Sequence, residues 1–296
     1  MTRPRTTVVP VVTETAPSQW ALIRRRFFRH RLALVGLVVL AVLAIACYGA
    51  PWLSPFGQNH QDLLLGATGP SAKHWLGTDE LGRDFLSELL FAGRISLSIG
   101  LGVGVLSTAV GVLLGSLAGY AGGWLDELIM RLVDLFLIVP AIAVLALALK
   151  SFGSSPLIIV LVLSSLGWTV IARVARSQVL SLREKEFIDA AVVLGASPAR
   201  ILVRHMLPNL AGVITVNVSL AVAAAIITES TLSFLGFGVQ PPESSWGNML
   251  SQAAGLLGTA QVYLLIFPGA FILVTVLAVN FIGDGLRDAF DPHTKH

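Results

Sequence analysis

The feature that most constrains this chain is a succession of apolar runs, each long enough to cross about 30 Å of hydrocarbon at about 1.5 Å per helical residue. They fall at 32–50, 95–120, 128–149, 157–180, 210–233 and 262–282. No water reaches the bilayer core, so a spanning segment must pair its backbone groups internally, as a helix or within a closed barrel. Uninterrupted runs of this length, rather than short alternating segments, select the helix. The expected fold is an all-α polytopic membrane protein with six transmembrane helices. Composition agrees: 55% of residues are hydrophobic and 12% charged, about half the charged share of a soluble domain. The single cysteine, Cys47, excludes a disulfide within the chain and a four-cysteine metal site.

Residues 1–19 are polar, contain proline and lack periodicity, which predicts a poorly ordered tail. A basic cluster follows, Arg24, Arg25, Arg26, Arg29 and Arg31, interleaved with Trp20, Phe27 and Phe28. Basic residues among aromatics also occur where nucleic acid binds, but an apolar run begins at Leu32, so a membrane-surface helix is the better reading and no nucleic-acid partner is expected. The run is too long, and its basic arm longer still, for a cleaved signal peptide. This divides the chain into a cytoplasmic tail with a basic surface helix, 1–31, and a six-helix domain, 32–296. With both termini cytoplasmic, the other side keeps only Lys73, Arg83, Arg94 and Lys150 of the 20 cations, as the positive-inside bias requires. The loops 51–94 and 234–261 are then external, and the second part of the first is expected to hold a short surface helix leading into the second span. The segment 184–209 is cytoplasmic.

That segment, EKEFIDAAVVLGASPARILVRHMLPN, is too patterned to be a mere connector. Phe187, Ala190, Ala191 and Leu194 recur at i, i+3, i+4 and i+7, one face of a short amphipathic helix, with Glu186 and Asp189 off that face. Gly195 can turn out of a helix without steric cost, and Ser197 with Pro198 supplies an N-cap and a first-turn proline for a second helix. Arg200, Arg204 and His205 give that helix a cationic side, and Leu207-Pro208-Asn209 is expected to end it. An interfacial connector helix is the plain alternative.

The run Asp189-Ala190-Ala191, three residues, Gly195, then twelve residues to Pro208 resembles the EAA loop of ABC importer permeases. Asp189 stands where that family more often has Glu. Three further stretches, HWLGTDELGRDFLSELLFAGRISLSIG, ESTLSFLGFGVQPPESSWGNML and LAVNFIGDGLRDAFDP, are similar to permeases for dipeptides, oligopeptides and nickel, specifically to the subunit with the shorter external loop. The resemblance implies a MetI-like ABC importer permease fold in a bacterial cytoplasmic membrane. It implies that Glu186, Asp189, Ala190, Ala191, Gly195, Ser197 and Arg200 form the coupling site for an ATPase. The implied partners are a homologous second permease, two ATP-binding modules, separate or fused, that carry ATP and Mg, an extracytoplasmic substrate-binding protein, and the lipid bilayer. Short peptides are the implied cargo, moved by alternating access; nickel, haem or another small solute stays open.

Charge in hydrocarbon tends to mark a pathway or a pair. Asp134 and Arg173 reach similar depth on successive spans and are expected to form a structural ion pair, for which Arg131 competes at i, i+3. Thr215, Asn217 and Ser219 place polar atoms inside the fifth span, where they either bond to neighbouring helices or line a path for a polar substrate. Their even spacing keeps them off a single narrow face. Glu229, at the outward end of the same span, is the fourth candidate for the translocation path. Asp79, Glu80, Gln240 and Trp246 in the external loops are candidates for docking the binding protein.

No enzyme chemistry is legible. The chain has no G-x-x-x-x-G-K-[ST] run to cradle phosphates, no H-E-x-x-H, and no histidine within the apolar runs to activate a serine. It is expected to hold no cofactor and no metal and to be no enzyme itself. A passive channel or scaffold is the remaining class, and the 184–209 segment argues against it.

Overall fold

The computed structural model describes residues 19–58 and 60–290. The tail expected over 1–19 lies outside them except for Gln19, as do Arg3, Arg5 and Lys295. The helices are α1 (Gln19–Phe27), α2 (Arg31–Tyr48), α3 (Ala50–Leu53), α4 (Phe85–Ala121), α5 (Gly123–Ile138), α6 (Ala141–Phe152), α7 (Pro156–Arg183), α8 (Glu186–Val193), α9 (Pro198–Arg200), α10 (Leu207–Phe234), α11 (Trp246–Ala253) and α12 (Tyr263–Phe290). A π-helical turn, Ile201–Met206, joins α9 to α10. Among the described residues there is no β-sheet; an isolated bridge pairs Thr78 with Asp84.

Among the described residues, five helices are long and apolar enough to cross a membrane: α2, α4, α7, the run from α9 through α10, and α12. The third crossing differs from the unbroken helix expected over 128–149. In its place stand α5 and α6, bent by 90°, which make a sixth crossing where the pair is taken as one span. Val139 is extended and Pro140 caps α6, because proline has no N–H to donate and the residue before it is pushed out of the helical region. The second crossing also differs. No separate surface helix precedes it; α4 runs unbroken from Phe85, since the Asp84 carboxylate accepts the Ser87 N–H at 2.9 Å and starts the helix there.

Helix α4 is the central strut, packed on α7 along one stripe and on α10 along another. Glycines make both contacts close. Gly100 and Gly104 face Ile226 and Val222 of α10, while Gly111, Gly115 and Gly119 face Ile171, Ala172 and Val179 of α7. A Cβ on Gly115 would fall on the backbone of Ala172, so only hydrogen fits there. Two ion pairs tie α5 to α7: Arg173 to Asp134, as expected, and Arg176 to Asp126. Arg131 does not compete for Asp134. It lies 3.8 Å from Glu127, one turn back on its own helix.

The two ends of the bundle are distinct. At one, called here the near end, α1 packs on α12, His30 lies 3.4 Å from Asp288, and Gly212 abuts Phe290, so the described chain ends and the 184–209 segment come together. At the far end the Tyr263 hydroxyl reaches the carbonyl oxygens of Thr68 and Thr78 at 2.8 and 2.7 Å, closing the 54–84 loop over the start of α12.

Candidate functional site

The near-end segment is built as the local sequence dictates. Helix α8 ends in a left-handed turn: Gly195 has φ +78°, its N–H donates to the Val192 carbonyl at 2.9 Å, and the Ala196 N–H reaches back to Ala191 at 3.0 Å. That is the Schellman closure, with the residue after the glycine returning to the helix's last turn. Nothing lies within 4 Å of a Cβ built on Gly195. The glycine is needed for its backbone angle, not for room. Ser197 then accepts the Arg200 N–H at 3.4 Å and Pro198 occupies the first helical turn, as the sequence predicts.

The second helix does not stop at Leu207-Pro208-Asn209. It continues through the π turn into α10, where the Leu207 N–H bonds to the Leu202 carbonyl, five residues back. Pro208 lacks the N–H that an α-turn needs there and would crowd the carbonyl four residues earlier; one wider turn absorbs both defects. The second helix of the 184–209 segment is therefore continuous with α10, and α8 is joined to it through the turn at Gly195.

The face that α8 turns inward also differs from the expected stripe. Ile188 and Ala191 are buried against Val179 of α7 and against Ile201, Met206 and Leu210. Phe187 is 44% exposed, Val193 and Leu194 are each 86% exposed, and Ala190 is exposed with them. Both stripes of this short helix are apolar, and the shape of the α7–α10 groove selects the slimmer pair to pack inside. Glu186 and Asp189 stay exposed beside the outward stripe, and neither has an ion-pair partner among the described residues. The result is an apolar face flanked by unpaired carboxylates, fixed at both ends by backbone turns.

The four residues considered for a path separate. Asn217 borders two cavities, one of about 330 Å³ with Asn209 and Arg287, the other of about 440 Å³ among α4, α5, α6, α7 and α10 that also meets Ser107, Thr169 and Thr228. Its Nδ2 donates to the Val213 carbonyl at 2.8 Å. Thr215 is half-buried, with its hydroxyl returned to Ala211 at 2.6 Å. Ser219 is buried against Gly283 of α12 and borders neither of the two cavities that Asn217 meets. Glu229 is 1% exposed and accepts the Ser233 hydroxyl at 2.7 Å, which in turn lies 3.3 Å from Ser245 at the start of α11. It is buried where α10 meets the start of α11, and it lines neither of the cavities that Asn217 borders.

At the far end Asp79 accepts the N–H groups of Leu81 and Arg83, both at 2.9 Å, and Arg83 also faces Glu88 at 3.5 Å. Asp79, Glu80, Arg83, Glu88, Ser244 and Gln252 share a surface pocket of about 340 Å³. Gln240 is exposed, with Nε2 donating to the carbonyls of Gly236 and Gly238 at 3.2 and 3.1 Å. Trp246 departs from its proposed docking role. It is fully buried, its indole N–H bonded to the Leu89 carbonyl at 3.0 Å and its ring packed under Gly93 and Phe271. Sequence reasoning missed Arg176 with Asp126, Arg83 with Glu88, and Tyr263. Neither ion pair stands at i, i+3 or i, i+4, so neither had a local signal; Asp79–Arg83, at i, i+4, did.

Comparison with known proteins follows the same outline. Residues 111–296 match the family of binding-protein-dependent transport system inner membrane components, and residues 18–68 match the N-terminal transmembrane domain of oligopeptide transport permease C. A putative peptide permease protein of Brucella suis is 43% identical over 271 residues, covering 91% of this chain and 90% of the relative. The oligopeptide transport system permease proteins OppC of Mycobacterium tuberculosis and Haemophilus influenzae are 39% and 40% identical, over 96% and 94% of this chain and 98% and 90% of their own.

Proposed function

Because this chain belongs to the family of binding-protein-dependent transport system inner membrane components, we propose that it is the permease subunit of an ATP-driven importer of short peptides, delivered by an extracytoplasmic binding protein. Its relatives are transporter subunits, not enzymes. ATP and Mg belong, on this reading, to two ATP-binding modules on partner subunits, and a homologous second permease completes the translocation path. The near end is the cytoplasmic end.

One observation carries the reading. The outward face of α8 offers Phe187, Val193 and Leu194 beside Asp189, and α8 is linked through the Gly195 turn and the π turn to the whole of the fifth crossing. Closure of the ATP-binding modules would press on that face, and the continuous helix would carry the displacement into the bundle, biasing it between inward-open and outward-open states. The opening of a path follows from the helices that border Asn217, since the broken third crossing leaves the cavity there walled by α5 and α6 at an angle.

Peptide cargo is carried over from the relatives, a putative peptide permease and oligopeptide transport permeases. A zwitterionic peptide needs polar groups along its route, and Ser107, Thr169, Asn217 and Thr228 supply them at the larger cavity. The test is uptake of a labelled tripeptide into proteoliposomes holding the full set of subunits, with ATP and the binding protein added or withheld. Accumulation that needs both supports the reading. Equilibration without ATP makes the chain a passive channel.

A further inference from the structure

We propose that the outward face of α1 is a binding site for anionic phospholipid headgroups of the membrane leaflet at the near end. The proposal rests on that end being cytoplasmic, as inferred above.

The segment has two sides. Ile23, Arg26, Phe27 and His30 recur at i, i+3, i+4 and i+7, and they are its half-buried positions. This stripe holds α1 to α12, where His30 lies 3.4 Å from Asp288. His30 also caps α2, its Nδ1 accepting the Ala33 N–H at 3.0 Å. Arg24, Arg25, Phe28, Arg29 and Arg31 lie on the other side, all exposed. Among the described residues none of these four arginines has an ion-pair partner.

The sequence supplies no local counter-charge either: residues 15–61 contain no carboxylate. Four like charges, presented by α1 and by the turn that leads into α2, repel one another unless an external anion lies among them. Only Phe28, Arg29 and His30 separate α1 from the first crossing, so the anions within reach are at headgroup level. Lipid phosphates have the matching chemistry. All cations before Lys73 are arginines, whose planar guanidinium grips phosphate in a two-pronged contact that an ammonium cannot copy. Exposed Phe28 sits among them, as aromatic residues do at the membrane–water boundary. A basic cluster directly beside a span is the general form of an anionic-lipid site.

The experiment is native mass spectrometry of the full chain released from micelles containing equal phosphatidylglycerol and phosphatidylcholine, comparing wild type, the triple variant Arg24→Gln/Arg25→Gln/Arg29→Gln, and the far-end control Arg94→Gln. Each arginine near an anionic surface contributes about fivefold in binding. The expected result is preferential retention of phosphatidylglycerol by wild type and control, and a drop in that preference on the order of 100-fold at low salt in the triple variant. Equal retention of both lipids by wild type, or an unchanged preference in the triple variant, overturns the proposal. So does a triple variant that keeps its lipid preference but no longer assembles with its ATPase, which would assign the face to a protein. Orientation is read separately: an impermeant thiol reagent should label Arg24→Cys only in inside-out vesicles. Labelling in right-side-out vesicles contradicts the topology whatever the lipid retention shows.

Discussion

Arg176 on α7 grips Asp126 on α5 with two parallel hydrogen bonds, the second at 2.6 Å from Nη2 to Oδ2. The pair joins the start of the broken third crossing to the fourth. Three residues earlier on α7, Arg173 meets Asp134 with a single contact in a more open setting, where the side chains are 51% and 45% exposed against 33% and 17% for the first pair. A two-pronged, better shielded pair is worth more than an open one. Arg176→Ala should therefore destabilise the detergent-solubilised protein by roughly 1–3 kcal/mol, and Arg173→Ala by at most about 1 kcal/mol. Thermal unfolding of the two variants checks the order; a larger loss from Arg173→Ala contradicts it.

Gly115 should tolerate no side chain. A Cβ there meets the Ala172 backbone, which cannot step aside as a flexible side chain would, and overpacking of this kind costs about 1–3 kcal/mol. Gly269 is the contrast, since its nearest neighbour would be a Leu250 methyl at 3.8 Å. Gly115→Ala is expected to lower the melting temperature clearly, while Gly269→Ala leaves it within error. Equal melting temperatures would mean that α4 and α7 are not in close contact.

Trp246 is a structural anchor. Its ring fills the space between Gly93, Cys47 and Phe271, and its indole N–H satisfies the Leu89 carbonyl. Trp246→Ala should cost about 3–5 kcal/mol, and Trp246→Phe less. Binding-protein affinity measured on folded Trp246→Phe should match wild type. A selective loss of that affinity with unchanged stability would return the residue to the docking surface.

Gly195 should accept asparagine better than valine. Its φ of +78° costs an ordinary residue about 1–2 kcal/mol, least for Asn and most for a β-branched side chain. Because nothing crowds the site, the damage stays in the turn and global stability is preserved. Peptide uptake by Gly195→Asn should approach wild type while Gly195→Val falls well below it, with both variants equally assembled. Identical uptake by the two would show that the shape of the turn is irrelevant.

The crossings were legible because a run of apolar residues about 20 long has few other uses. The turn at Gly195, Ser197 and Pro198 was legible for a local reason: each residue's backbone preference acts within its own turn. What local chemistry leaves open is decided by neighbours distant in the chain. Pro140 is of a kind tolerated inside membrane helices, so the span over 128–149 reads as unbroken; the 90° bend after Ile138 is seen only where Leu145 and Leu149 of α6 pack on Ile159 and Leu163 of α7. The stripe of Phe187, Ala190, Ala191 and Leu194 is as apolar as the one through Ile188 and Ala191, and only the groove between α7 and α10 shows that Ile188 and Ala191 go in while the other three stay out. Trp246 reads as a docking residue of an external loop, and Glu229 as a path residue at the outward end of the fifth span. The folding of α11 onto α4 and α10 buries both.

The central claim is that α8 carries the force of ATP hydrolysis into the bundle. The direct test is the number of ATP molecules hydrolysed per peptide imported, measured in proteoliposomes with the complete transporter for wild type, Asp189→Lys and Gly195→Pro at matched assembly. Charge reversal in an interface costs several kcal/mol, and proline cannot adopt the φ of +78° that residue 195 requires. Both variants should lose at least roughly tenfold in uptake while ATP is still hydrolysed, so the ratio rises. If uptake and the ratio stay at wild-type values in both, α8 is a connector, and the account of coupling is wrong.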